Sequence, residues 1–232
     1  MAATISKHLG DGVYTIAEAA LYCRVSPAMI SRWLFGSKHG QSVIDPQFGS
    51  KERFVSFLDL VQTLAIREIR RQEKSLTLSK FRQAVETAKD TLNIDFPFAR
   101  QHCTYLNQNN ELVIRPDPER NSFVEVSGKH RGQHLISFVE MYLKRLQFNP
   151  EGLAYRYNIF TSQHETPITI TMDPHIRFGE PLLPSGYTAL NICHAIRVEG
   201  GISQAAKAYG IRVEEAEAAY QFVDGLDMKS AA

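Results

Sequence analysis

The side chains best placed to do chemistry lie in the stretch YTIAEAALYCRVSPAMISRWLFG, Tyr14 to Gly36. After Ser26 and Pro27, helical spacing puts Ala28, Ser31 and Arg32 on one face and Ile30 and Trp33 on the other. A guanidinium offers paired donors that match a phosphate or the edge of a guanine, and small neighbours let it approach. The chemistry expected here is therefore nucleic-acid contact. The candidate residues are Thr15, Arg24, Ser26, Ala28, Ser31 and Arg32, with Lys38, His39, Lys51 and Arg53 in the loop that follows.

Catalytic patterns are missing. The chain has no phosphate-binding glycine loop, no Gly-x-Ser-x-Gly elbow, no His-Glu-x-x-His helix and no Cys-x-x-Cys pair. Cys193 and His194 are neighbours on an expected helix and point about 100° apart. His102 and Cys103 fall on an expected strand and point to opposite faces. Neither pair has further ligands at metal-binding spacing. The expectation is a chain without enzymatic activity, metal or cofactor.

The elements that position the contact residues follow from local signals. Thr15 caps a first helix that buries Ile16, Ala19 and Ala20. Ser26 caps a second, with Pro27 at its first position. Two short helices joined by a tight turn form a helix-turn-helix, whose second helix enters the major groove. The Gly- and Ser-rich segment after it predicts a small wing, with a hairpin pairing Ser42–Ile44 against Arg53–Ser56. Ser56 caps a helix carrying Phe57, Leu60, Val61 and Leu64, and Arg67, Arg70, Arg71 and Lys74 read as its solvated basic end. Thr77 opens another helix, whose narrow seam of Leu78, Phe81, Val85, Ala88 and Leu92 faces either its own domain or a partner chain.

Beyond residue 100 the period changes. His102–Leu106, Leu112–Arg115 and Ser122–Val126 predict an antiparallel meander, Leu135 to Leu146 an amphipathic helix, and Leu153–Phe160 an edge strand. Ile168 to Met172 alternate as a strand. Three short helices follow, capped by Thr188, by Ser203 and by acids in the first turn of the last, with Gly210 past the end of the second. Ala216, Ala219, Tyr220 and Val223 form the expected buried face of the last helix. The expected class is α+β, mostly α. Residues 1–98 form a winged helix-turn-helix, 99–164 a small antiparallel middle, and 165–232 a three-helix unit.

Composition sets wider bounds. The 232 residues are 44% hydrophobic and 22% charged, as in ordinary globular proteins. No apolar run is long enough for a membrane helix, and the three cysteines are far apart and odd in number. A cytoplasmic location without membrane association is expected. Net charge is only +1, but residues 1–100 hold 14 Lys/Arg against 10 Asp/Glu, and residues 101–232 hold 12 against 15. A basic front suits nucleic acid and an acidic back suits another task.

Two resemblances emerge from these stretches. YTIAEAALYCRVSPAMISRWL, with the helices after the wing, resembles a MerR-like winged helix. ITMDPHIRFGEPLLPSGYTALNICHAIRVEGGISQAAKAYGIRVEEAEAAYQF resembles the short trihelical family found in VapB-like antitoxins, which opens with a strand, Asp-Pro and a Gly-x-Pro loop. Where many members carry arginines after that loop, this chain has Pro184-Ser185-Gly186-Tyr187. The combination is similar to larger VapB-like antitoxins paired with PIN-like ribonuclease toxins. The resemblance implies an antitoxin that binds and inhibits a PIN-like toxin and represses its own operon by binding operator DNA. It would act as a homodimer or a higher hetero-oligomer with the toxin. Asp173, Arg177, Phe178, Pro181, Tyr187 and Tyr220 are the residues expected to face the toxin. The alternative is a stand-alone MerR-like regulator whose C-terminal half senses a ligand.

Overall fold

The computed structural model describes residues 10–38, 40–101, 104–106, 112–114, 124–125, 144–163 and 165–230. The fold is α+β and mostly α. Helices α1 (Ile16–Cys23), α2 (Pro27–Phe35), α3 (Phe57–Gln72) and α4 (Leu78–Leu92) form the head, and α5 (Ala189–Glu199), α6 (Ile202–Tyr209) and α7 (Val213–Ser230) the C-terminal unit. Strands β1 (Thr104–Leu106), β2 (Leu112–Ile114) and β3 (Val124–Glu125) make one antiparallel sheet. Strands β4 (Leu146–Phe148), β5 (Ala154–Thr161) and β6 (Thr169–Met172) make another.

The helix starts are where the capping residues place them. Thr15 and Glu18 form a reciprocal capping box on α1, as do Ser56 and Asp59 on α3. Ser26 Oγ accepts the Met29 N–H with Pro27 behind it, and Thr188 caps α5. Helix α6 starts at Gly201 instead of Ser203, which lies within the helix. Gly201 sits at φ +152°, and its Cβ would approach the Gln204 amide oxygen, so glycine takes the turn between α5 and α6.

Three expectations about pairing change. Ser42–Ile44 and Arg53–Ser56 do not pair with each other. Val55 instead bridges Tyr14, and the N–H groups of Val43 and Ile44 both donate to the Trp33 carbonyl. Two buried side chains, Val43 and Ile44, hold this segment against the head more tightly than a free hairpin. Leu146 lies in β4, not in a helix, and the expected helix before it lies outside the described residues. Finally, β5 is the centre of its sheet. It pairs antiparallel with β4 and with β6, so hydrogen bonds cross the boundary expected at 164/165.

The seam on α4 faces its own chain. Phe81 and Ala88 are fully buried, and the Phe81 ring packs against Phe98 at 5.7 Å between centroids. A continuous apolar core runs from Tyr14 and Trp33 in the head to Phe222 and Leu226 on α7. No described helix is long and apolar enough to cross a membrane.

Within this core lies the buried carboxyl of Asp59. Its carboxylate accepts the backbone N–H groups of Ser56 and Gln47. Burial outweighs those bonds and pushes its pKa up to about 6. A carboxyl with a raised folded pKa binds more protons folded than unfolded between its two pKa values. Its contribution to stability therefore falls as pH rises from about 4 to about 6 and is then constant. We predict that wild type loses stability relative to Asp59→Asn, by urea unfolding, as pH rises over that interval. A difference that does not change with pH would refute this.

Candidate nucleic-acid interface

Helices α1 and α2 pack at right spacing because each has one small or apolar face. Ala19, Ala20, Tyr22 and Cys23 are buried on α1, and Ile30, Trp33 and Leu34 on α2. The opposite face of α2 carries exposed Pro27, Ala28 and Arg32, with Ser31 half-buried between them. Arg53 reaches this face from the loop: its Nη2 donates to Ser31 Oγ at 2.7 Å. Its guanidinium carbon also stands 4.8 Å from the centre of the Phe35 ring. Two contacts from one helix thus fix the direction of a loop arginine beside Arg32.

The loop itself is anchored from α4. Arg82 donates through Nε to the Ser42 carbonyl at 2.6 Å and through Nη2 to the Gln41 carbonyl at 2.8 Å. Ser37 and Gly40 close a tight turn that leaves Lys38 exposed, and Lys51 is exposed farther along. Gly36, at φ +74°, leads into the turn; a Cβ there would meet the Gly40 carbonyl oxygen at 2.9 Å. His39 lies outside the described residues.

Three candidate contacts have other positions. Thr15 and Ser26 spend their hydroxyls on helix caps: Thr15 Oγ1 accepts the Glu18 N–H and Ser26 Oγ the Met29 N–H. Arg24, the left-handed residue that ends α1, lines a cavity between head and body together with Arg67 and Arg145, away from the face of α2. Arg67 and Arg70, expected in solvent, are partly buried. Arg67 donates to the Cys23 carbonyl at 2.6 Å, and the Arg70 guanidinium lies 5.9 Å from the Trp33 ring.

The residues expected to face a partner divide in two. Asp173 is buried, and Arg156 grips one of its oxygens through Nε at 3.1 Å and Nη2 at 2.8 Å. Burial alone would raise the Asp173 pKa; Arg156 and the His175 N–H outweigh it and hold the carboxyl below the usual range. Pro181 is buried too, and its carbonyl accepts the Ala189 N–H at 2.9 Å. Neither is open to a partner, because each fastens the loop to its own sheet and helix. Arg177, Phe178, Tyr187 and Tyr220 are exposed. Tyr220 is 42% exposed, whereas its neighbours Ala219 and Phe222 are buried. The Tyr187 ring stands edge-on to Tyr209 at 5.2 Å.

The Asp173–Tyr187 loop has a second task that its sequence does not announce. Tyr14 Oη donates to the Gly179 carbonyl at 2.9 Å, and the Val13 N–H donates to the Phe178 carbonyl at 3.2 Å. The loop is therefore docked on the head. Arg177 and Phe178 adopt left-handed φ values of 46° and 57° to make that turn. On its other side, Glu215 on α7 accepts the Ser185 N–H and the Arg212 guanidinium.

The crystal structure of Rv2018 from Mycobacterium tuberculosis is similar to this chain, with a TM-score of 0.59 at 17% sequence identity. The match covers 89% of this chain and 96% of that one. It shows a shared fold through head and body alike. No family model and no curated protein matches the chain.

Proposed function

We propose that this chain is a DNA-binding antitoxin whose head represses its own promoter and whose body silences a PIN-like ribonuclease. The reading rests chiefly on the solvent face of α2, where Ala28 and Arg32 are open and Arg53 is held beside them by Ser31 and Phe35. Small side chains allow close approach to base edges, the two guanidiniums supply donors, and Lys38 and Lys51 reach phosphates. Two copies would present two such helices to successive major grooves, roughly 34 Å apart.

Toxin silencing uses the other half. A PIN-like nuclease clusters carboxylates around a divalent metal. From residue 161 on, this chain has 5 basic and 9 acidic residues, which makes mimicry of a cation unsuitable. Occlusion by the exposed side chains of Phe178, Tyr187 and Tyr220 fits better, since exposed aromatics are favoured anchors at interfaces. Co-expression with a PIN-like nuclease from an adjacent reading frame tests this. The expected result is co-purification and loss of RNA cleavage, with the Tyr187→Ala/Tyr220→Ala variant binding at least roughly tenfold more weakly. A nuclease that neither co-purifies nor loses activity would defeat the antitoxin reading.

A further inference from the structure

Between the head and the body lies a cavity of about 490 Å³, walled by the end of α1, by α3, by β5 and by α7. Three arginines line it: Arg24 from the turn after α1, Arg67 from α3 and Arg145 just before β4. Among the described residues none of the lining is acidic, and Leu64, Phe222 and Leu226 supply an apolar wall.

The three arginines are unequally satisfied. Arg145 is fixed, donating to the carbonyls of Asn158 (3.0 Å) and Ile159 and lying 5.2 Å from the centre of the Tyr157 ring. Arg67 is fixed by the Cys23 carbonyl and by Glu68 at 3.1 Å, yet its buried Nε has no partner among the described residues. Arg24 makes no side-chain hydrogen bond or ion pair to a described residue. Partial burial lowers its pKa, and the charges of Arg67 and Arg145 lower it further against an opposing effect of Tyr157. Like charges gathered at a partly buried site repel each other more strongly than they would in open water.

We infer that this cavity binds a small amphipathic anion, a carboxylate or phosphate monoester on an apolar body, held between head and body. The volume lies in the range of small-molecule sites, and the lining sets three arginines beside the apolar side chains of Leu64, Phe222 and Leu226. Arginine forks match either anion in bidentate geometry. An anion would relieve the repulsion among the three arginines. The inference stands apart from the proposed DNA and toxin contacts: Arg24, expected at the DNA from the sequence, lines the cavity instead, and none of the residues that carry the proposed function takes part.

Calorimetric titration of the full chain with octanoate and with octyl phosphate tests the inference. Inorganic phosphate and 1-octanol serve as single-property controls. At least one amphipathic anion should bind roughly tenfold or more tightly than both controls, and Arg24→Gln should weaken it by about tenfold. Without ligand, Arg24→Gln should unfold at the same or higher denaturant concentration than wild type, since a like charge is gone. The inference is overturned if neither anion binds, if octanol binds as well as the anions, or if Arg24→Gln leaves their affinity unchanged. Lower stability of the ligand-free variant would overturn its electrostatic basis.

Discussion

Gly179→Ala is expected to destabilise the whole chain by about 2–4 kcal/mol, through left-handed backbone strain together with a broken buried hydrogen bond. Gly179 sits at φ +86°, and a Cβ there would lie 2.1 Å from Tyr14 Oη and 3.0 Å from Cζ. Tyr14 cannot swing aside cheaply. It is 2% exposed, and its ring stands edge-on to Tyr22 at 6.0 Å. The same hydroxyl donates to the Gly179 carbonyl, so the substitution strikes the joint that docks the body loop on the head. Tyr14→Phe removes the bond and the nearest clashing atom. The double variant should therefore lose less than the two single variants added together. Urea unfolding of the four proteins reads this directly. A Gly179→Ala loss below about 1 kcal/mol, or strict additivity, would show that the joint is loose.

The second large effect is on DNA. Arg32→Ala combined with Arg53→Ala should weaken binding to the chain's own promoter region by about 100-fold or more, since each good arginine contact is worth about 1–3 kcal/mol. Arg32 stands exposed on α2 and Arg53 is aimed by Ser31 Oγ and Phe35. Ser31→Ala should produce a smaller loss, because it frees Arg53 without removing it. If Arg53 contacts a phosphate, its loss also lowers the slope of log affinity against log salt by about one. Both side chains sit at the surface, so the double variant should keep its folding stability. A full-strength gel shift from a folded double variant would remove this face from the DNA interface.

Local chemistry made the helices of the head and the C-terminal unit legible. Thr15, Ser26, Ser56 and Thr188 each announce a helix start through a hydroxyl that accepts the N–H three residues on. The alternation of Ile168, Ile170 and Met172 gave away β6, and the period change beyond residue 100 gave away β1 to β3. What stayed hidden depends on partners far off in the chain. Tyr14 and Gly179 are 165 positions apart, and Arg67 meets Cys23 across 44. Nothing near Arg67 distinguishes a solvated arginine from one that donates to a carbonyl of another helix. Asp173 read as a loop acid for a partner. Arg156, 17 residues earlier on the neighbouring strand, turns it inward, and only the register of β5 against β6 brings the two together. Arg24 followed the same course. Its place beside a helix-turn-helix predicted DNA contact, whereas the left-handed turn that ends α1 directs it into the cavity.

The central claim is that the exposed face of α2 reads a particular DNA sequence. Its most direct test is titration of the wild-type chain against the duplex upstream of its own reading frame and an unrelated duplex of equal length, at several salt concentrations. The account predicts a preference for its own duplex of about 10³ or more, with affinity for both falling steeply as salt rises. Equal, weak binding to the two duplexes at every salt concentration would contradict it.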